Sequence, residues 1–330
     1  MSILRERMPG PASRLPHWRL GHAPTPVRRL EGIAGGPAGV WLKDESVFGD
    51  GGWGGNKVRK LEWLLPDAVR RGRRSILTFG GLGTNWGLAT ALYGRELGLE
   101  VALALVDQPR DRRVEAQLQR LRLSGAALHF TRTRARTVAA LPALVARHTR
   151  GGRPPLVLPP GGSSPLGVLG YVEVALELAA QVDAGELPEP ERVIVPVGSG
   201  GTAAGLLLGL GMAGLSSRVL GVIVSDQPRL DPAGLAGRAR AAARLLRKRG
   251  YPARIPEPDP GRMDVVRDWL GAGYGHPTAD SERAVTDAAA TGLTLDPVYT
   301  GKAMAALRTM NEGDSLGAGP VLFVNTNGPR

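Results

Sequence analysis

A chain of 330 residues with 42 basic and 30 acidic side chains carries a formal net charge of +12 and can bury a core large enough for two domains. The basic excess is nearly all arginine scattered along the chain, and no basic stretch is interleaved with aromatics, which argues against a specific nucleic-acid partner. The absence of cysteine excludes disulfides, thiolate catalysis and Cys-ligated zinc, and fits a reducing compartment.

In chain order, strand and helix signals alternate. Val40-Trp41-Leu42 is a short apolar run before the polar Lys43-Asp44-Glu45-Ser46, and Leu61 to Val69 reads as a helix. Ser75 to Phe79 reads as a buried strand ended by Gly80-Gly81, Leu88 to Leu97 as a helix and Val101 to Val106 as a strand. Val114 to Leu123 is a helix, Ala127 to Phe130 a strand, Val138 to His148 a helix and Leu156 to Leu158 a strand. Val168 to Val182 is a strong helix, and Val193 to Val197, Val219 to Val224 and Val321 to Val324 are further buried strands. Asp183 to Glu191 and Pro252 to Pro260 read as loops. This alternation predicts an α/β protein with parallel sheets covered by helices on both faces. The segment Met1 to Arg7 has no apolar signal core, and runs such as Ala203 to Leu210 are broken by glycine and too short to span a bilayer. A cytoplasmic protein with no membrane partner is expected.

Lysine is scarce: Lys43, Lys57, Lys60, Lys248 and Lys302 are the whole set. Lys57 follows Gly54-Gly55-Asn56 and opens an apolar-periodic segment. At such a loop-to-helix junction the helix dipole and partial burial favour the neutral amine, which suits a Schiff base with pyridoxal phosphate. The plainer reading is a solvated lysine in a first helical turn.

Three glycine-rich turns follow predicted strands or open helices, where ligands bind in open α/β sheets. Phe79-Gly80-Gly81-Leu82-Gly83-Thr84-Asn85-Trp86-Gly87 offers amides, a hydroxyl and an amide side chain to a carboxylate, or is a Thr/Asn helix cap. Gly198-Ser199-Gly200-Gly201-Thr202 makes a phosphate cup, without the lysine of a P-loop or the full spacing of a dinucleotide fingerprint. Asp296-Pro297-Val298-Tyr299-Thr300-Gly301-Lys302 opens a helix from which Tyr299 and Thr300 either face a ligand or pack inward.

Taken in order from Pro24-Thr25-Pro26 to Val324, these segments resemble the pyridoxal-phosphate enzymes of tryptophan-synthase-β-like fold (fold type II), in the branch of 1-aminocyclopropane-1-carboxylate deaminase and D-cysteine desulfhydrase. Lys43-Asp44-Glu45, Gly161-Gly162-Ser163-Ser164, Leu169-Gly170-Tyr171 and Gly273-Tyr274-Gly275 also belong to the resemblance. It implies two domains, 1–58 with 163–330 forming the large cofactor-binding one and 59–162 a small inserted one. It implies a homodimer and a small amino-acid substrate. Lys57 would anchor the cofactor covalently and move protons, and Lys60 would be structural or electrostatic. Asn85 would meet the cofactor ring oxygen, and Gly198, Ser199, Gly200, Gly201 and Thr202 its phosphate. Thr84, Asn85, Trp86 and Gly87 would bind the substrate carboxylate. Tyr274 and Tyr299 would line the substrate face as acid, base or hydrogen-bond partners, and Thr300 would sit near the pyridine nitrogen.

The chain departs from the family pattern at several places. Thr84 stands where serine is usual, and Trp86 where histidine or glutamine is common, which should shrink or reshape the pocket. Thr300 stands where the cyclopropane deaminases carry glutamate, and Asn325-Thr326-Asn327-Gly328 replaces a Gly-Gly pair. A hydroxyl rather than a carboxylate at the ring favours α,β-elimination of the D-cysteine desulfhydrase type, giving a 2-oxo acid and ammonia. Ring opening of 1-aminocyclopropane-1-carboxylate, β-replacement on a specialised amino acid and a non-catalytic binder on the same scaffold stay open as alternatives.

Overall fold

The computed structural model describes residues 2–7, 15–33, 35–51, 53–226, 229–251 and 254–328; Met1, and Pro252 and Ala253 of the expected Pro252 to Pro260 loop, lie outside them. The elements run α1 (Ile3–Glu6), β1 (Val27–Arg29), β2 (Val40–Asp44), α2 (Asn56–Arg70), β3 (Ser75–Gly81), α3 (Asn85–Glu96), β4 (Glu100–Val106), α4 (Arg112–Leu123), β5 (Ala127–Arg132), α5 (Arg134–Arg147) and β6 (Leu156–Val157). They continue α6 (Pro165–Asp183), β7 (Arg192–Val197), α7 (Gly201–Ala213), β8 (Arg218–Ile223), α8 (Pro232–Lys248), β9 (Met263–Val266), α9 (Ala279–Ala290), α10 (Thr300–Glu312) and β10 (Val321–Asn325).

Two sheets result. The larger has the order β1-β2-β10-β7-β8-β9 and the smaller β5-β4-β3-β6. Every pairing is parallel except β1 with β2, as expected for strands joined by helical crossovers. Each sheet reverses its strand order once. In the small sheet the chain runs outward from β3 to β4 and β5, then returns to β6 on the other side of β3. In the large sheet β7 has β8 and β9 on one side and β10 on the other. Crevices open at the carboxyl ends of strands beside such reversals. The turns that leave β3 and β7 are the Gly80 to Gly87 loop and the Gly198 to Thr202 cup, so topology alone aims both at a ligand.

Local chemistry fixes the helix starts. Thr84, Asp111, Thr133, Ser164 and Asp231 each accept a backbone N–H from the first turn of α3, α4, α5, α6 and α8. Pro165 and Pro232 stand in the first turns of α6 and α8, where no helical N–H is needed. The start of α2 is set differently. Gly55 has φ 86°, and a Cβ there would fall 2.5 Å from the Asn327 carbonyl oxygen, so only glycine lets the segment after β10 press against this turn.

α6 is the most central helix. With 19 residues and a mean hydropathy of 1.3 over its most apolar stretch, it reaches the length and apolarity of a membrane span, contrary to the expectation that no apolar run does so. Yet 78% of that stretch is buried, and the helix packs on α2, α7 and α8. A helix covered on most sides is predominantly apolar, and the carboxylate and amide side chains α6 does bury, Glu173, Glu177 and Gln181, are hydrogen-bonded.

Inside this core lies a group of charges. The Arg59 guanidinium donates through Nε and Nη2 to the two Glu45 oxygens, both at 2.9 Å, and pairs with Glu177 at 2.9 Å. Lys43 Nζ donates to Glu177 at 2.6 Å, to Gln181 Oε1 at 2.7 Å and to the Thr25 carbonyl at 3.1 Å. The Thr25 hydroxyl donates to Glu45 at 2.6 Å. Burial favours the protonated form of Glu177, but the Lys43 and Arg59 charges outweigh it and leave the carboxyl below its ordinary range. Replacing Arg59 by methionine strands Glu45 without its bidentate partner and is expected to destabilise the fold by about 3–5 kcal/mol. Urea unfolding of Arg59→Met against the parent checks this; a loss under about 1 kcal/mol contradicts it.

Candidate active site

Between the two sheets lies a cavity of about 470 Å³. Its walls include Lys57 from the first turn of α2, Gly80, Gly81, Thr84, Asn85 and Trp86 from the turn after β3, and Gly198, Ser199, Gly200 and Thr202 from the turn after β7. Tyr274, Asp296, Tyr299, Thr326, Asn327 and Gly328 close the far side. Six chain segments far apart in sequence thus meet at one point, with most of the expected site residues among them.

Lys57 is half-buried at the cavity wall. Burial lowers its ammonium from the usual 10.5 to about 8, against the opposing pull of the Asp296 charge. The neutral amine needed for Schiff-base chemistry is therefore enriched by more than ~100-fold at neutral pH relative to an ordinary lysine. Asp296 is held in place by the turn that opens α10: Oδ1 accepts from the amides of Val298 (3.0 Å) and Tyr299 (2.7 Å), and Oδ2 from the Thr300 amide (3.2 Å) and hydroxyl (2.9 Å). Among the described residues it is the one carboxylate in the cavity wall, and its oxygens are already satisfied.

The turn after β7 has the chemistry of a phosphate cup. Gly200 is left-handed (φ 83°) and caps α7 without a side chain, which leaves first-turn amides of α7 facing the cavity. The Gly201 amide is an exception: it donates to Ser163 Oγ at 3.0 Å, and Ser163 in turn bonds Ser199 Oγ at 2.8 Å. Gly201 thus braces the cup from behind rather than lining it. Cations surround the cup. Lys60 Nζ donates to the Gly161 carbonyl at 3.0 Å, and Arg238 Nε would lie 3.3 Å from a Cβ on Gly200. Burial, with the Lys57 and Arg238 charges adding to it, pushes the Lys60 ammonium well below its ordinary range. A pocket whose cations repel one another is suited to a dianion. A phosphate monoester bearing an aldehyde within reach of Lys57 satisfies both the cup and the amine, so the residues fit pyridoxal phosphate.

The Thr84 loop is both a cap and a wall. Thr84 Oγ1 accepts from the Gly87 amide at 3.1 Å, so Gly87 is spent on the cap and does not line the cavity. The amides at the start of α3 stay directed at the site. Asn85 Oδ1 accepts from Gln117 Nε2 at 2.9 Å, which leaves its NH₂ group to face a ligand. Trp86 does reshape the pocket. It is only 3% exposed, its Nε1 donates to Thr78 Oγ1 at 2.8 Å, and its ring edge lies against Gly162. The indole therefore brings shape to the wall and no spare donor.

Tyr274 and Tyr299 form an edge-to-face pair with ring centres 6.2 Å apart, and the Tyr299 hydroxyl donates to that of Tyr274 at 3.0 Å. Burial raises both phenols, Tyr299 well above its ordinary value; for Tyr274 the hydrogen bond from Tyr299 offsets part of the rise. Both are neutral acids at physiological pH.

Thr300 is a correction. Expected beside the ring nitrogen, it is fully buried, and its hydroxyl is closed on Asp296, accepting from the Asp296 amide at 2.8 Å and donating to Oδ2. It is not a wall of the cavity; Thr326, from the segment after β10, is. The sequence marked that segment only as atypical. A position just after a buried strand was the one signal available. Arg134, Thr137, Val138 and Leu141 on α5 also line the cavity and were not anticipated.

This geometry fits a class: α/β enzymes that set a lysine of lowered basicity and an anion cup at one cavity between two largely parallel sheets. The chain belongs to the pyridoxal-phosphate dependent enzyme family, whose sequence pattern matches residues 19–327. It is 34% identical over 326 residues to a D-cysteine desulfhydrase of Klebsiella pneumoniae, with 96% of this chain and 95% of the relative covered. A Pyrococcus horikoshii protein provisionally assigned as a 1-aminocyclopropane-1-carboxylate deaminase is 31% identical, with 92% and 89% covered. Among solved structures, an ACC deaminase homologue superimposes with a TM-score of 0.81 at 29% identity, covering 96% of this chain and 93% of that one. The tryptophan-synthase-β-like fold and the pyridoxal phosphate cofactor expected from the sequence agree with these matches, and the protein is a pyridoxal-phosphate-dependent lyase or deaminase.

Lys302 provides an internal control for the anchor. Burial lowers it to about 8 as well, yet its Nζ donates to the Leu270 carbonyl at 2.7 Å and it is no wall of the cavity. Borohydride reduction of the holoprotein is expected to leave the phosphopyridoxyl group on Lys57 and not on Lys60 or Lys302, as read by peptide mass. Because the free amine is the nucleophile, cofactor capture by the apoprotein should quicken about tenfold per pH unit and level off above about 8, the value for Lys57. A flat pH profile contradicts this assignment.

Proposed function

We propose that the protein eliminates a β-substituent from a small amino acid and releases a 2-oxo acid and ammonia, as expected for a relative of D-cysteine desulfhydrases. One observation carries the reading: the cavity sets a lysine of lowered basicity and a hydrogen-bonded tyrosine pair in one chamber, where the one carboxylate among the described residues, Asp296, is consumed by the turn that opens α10. Among the described residues no other acid lines the wall to hold a proton on a pyridine ring, and the neutral Thr326 hydroxyl is there instead. The bound cofactor supplies the electron sink at the substrate α-carbon.

The remaining work belongs to the chain. The Thr84 hydroxyl and the amides opening α3 hold the α-carboxylate, and Trp86 fixes the width of that subsite. Lys57, near half-neutral at pH 8, takes the α-proton. Tyr299 donates to Tyr274 and so leaves the Tyr274 O–H free to hand a proton to the departing group. Asn85, pinned through Gln117, orients the ring, and the cup with Lys60 holds the phosphate. The aromatic pair and Trp86 exclude water until the bond is broken.

The two sheets support a division into a large domain, 1–58 with 163–330, and a small inserted one, 59–162, facing each other across the cavity. On the family resemblance we assign a cytoplasmic homodimer; sedimentation checks the assembly.

The test is product analysis on the holoenzyme. Pyruvate with sulfide from either enantiomer of cysteine supports elimination. 2-Oxobutanoate from 1-aminocyclopropane-1-carboxylate, with no product from cysteine, replaces it with the ring-opening reading that the Pyrococcus relative suggests. Tyr274→Phe is expected to lower kcat by about 10²–10⁴ while changing KM less than about fivefold, because the phenol acts on the departing group and not on binding. An unchanged kcat removes Tyr274 from the proton path.

A further inference from the structure

The cavity has one side that the chemistry above does not use. Arg134, Thr137, Val138 and Leu141 stand at i, i+3, i+4 and i+7 on α5 and form a single stripe along its first two turns. All four line the cavity, and Phe79 and Val106, at the carboxyl ends of β3 and β4, close the same side. The stripe begins on the small sheet, where Phe79 and Leu141 join the packing around Leu77, Ala104 and Leu144, and ends over the open cavity. Val138 is 71% exposed although it is a branched apolar residue in the middle of a helix. It is also one of the residues that line the cavity.

The apolar members, Val138, Leu141, Phe79 and Val106, have no group to offer the phosphate, the pyridine ring or the α-carboxylate, whose needs are met by the cup, by Asn85 and by the Thr84 loop. What is left for them is the group carried on the substrate β-carbon. A bare thiol has almost no surface to lay on a helix stripe of this length. Arg134 brings a positive charge to the N-terminal end of the stripe, close enough to act on the Tyr274 phenol, and so disfavours a cationic substituent.

We propose that the departing β-substituent is a bulky, mainly apolar thiol, so that the substrate class is S-alkyl- or S-aryl-cysteine, seated on Thr137, Val138, Leu141 and Phe79. The proposal rests on the elimination reading. The reaction is RS–CH₂–CH(NH₃⁺)–COO⁻ with water giving RSH, pyruvate and ammonium. The Cα–H and Cβ–S bonds break, the C–S electron pair leaves on sulfur, which takes up a proton, and water replaces the nitrogen. No oxidant or reductant is required.

The holoenzyme is tested with both enantiomers of cysteine, S-methylcysteine and S-benzylcysteine, following pyruvate. The expected result is a kcat/KM at least ten times higher for one S-benzylcysteine enantiomer than for cysteine. As a measure free of turnover, alanine and 2-amino-4-phenylbutanoate, which lack a leaving group, are titrated by the cofactor absorbance change, and the phenyl compound should bind at least ten times more tightly. Val138→Asp, on a side chain exposed enough to leave packing intact, should cut the S-benzylcysteine to cysteine ratio of kcat/KM at least tenfold. A preference for cysteine, equal binding of the two analogues, or a ratio indifferent to Val138→Asp overturns the proposal and leaves elimination standing. Pyruvate from no member of the panel overturns both.

Discussion

The site depends on a charge arrangement that never touches it. Arg59 lies two residues after Lys57 and is clamped between Glu45, just after β2, and Glu177, in the middle of α6. A guanidinium held bidentately has little freedom to rotate, so the first turns of α2 are fixed to both the large sheet and its central helix. Lys43 completes the cluster by holding Glu177 from the strand side. Buried ion groups of this kind add little net stability over an apolar core. Their effect here is positional: they set the rotation of α2, and hence the direction in which Lys57 leaves it.

Within the cavity, two opposed demands meet at Lys57. Attack on an aldehyde needs a neutral amine, which burial favours, while a site for a phosphate dianion must be electropositive, which also depresses a lysine. Both push in one direction, and Asp296 limits the effect. Its carboxylate is fixed by the first turn of α10, so its charge stays near Lys57 without occupying the space a ligand needs. The same residue places Tyr299 at the mouth of α10. One carboxylate therefore tunes the amine and positions one phenol of the hydrogen-bonded tyrosine pair.

Much of this was legible in the sequence, for physical reasons that differ by element. The strands β3, β4, β7, β8 and β10 are continuous apolar runs because both faces of a parallel sheet are covered, and the glycines that end β3 and β7 mark where backbone must approach a ligand. Lys57 stood out because a lysine-poor chain places it after Gly55. Helices α8 and α9 were not read, because their buried faces are built largely from alanine, which carries little periodic contrast against arginine and threonine. Asp231-Pro232 was the available start signal for the first of them. α5 was read from Val138, four residues late, since its opening turn is Arg-Ala-Arg-Thr. Thr300 was misplaced because a helix start presents several side chains, and only the cap geometry decides which of them turns inward.

Trp86 shows why family-level chemistry and individual specificity come apart. In this chain the position offers no donor to a substrate, since the indole N–H is committed to Thr78 and its ring to Gly162. On the proposed reading carboxylate recognition falls to backbone amides and Thr84, groups that any amino acid satisfies equally. Discrimination must come from walls that meet the rest of the substrate, and the ones present are the tyrosine pair and the α5 stripe. The tyrosines act on whatever group leaves, so they select poorly by size. α5 belongs to the small sheet and is reached only across the cavity from the cofactor cup. On the proposed reading Lys57, the cup and the tyrosine pair belong to the large-sheet side, while the Thr84 loop and the α5 stripe share the small sheet, so the α5 wall can change while Lys57 is held by the buried charges beneath α2.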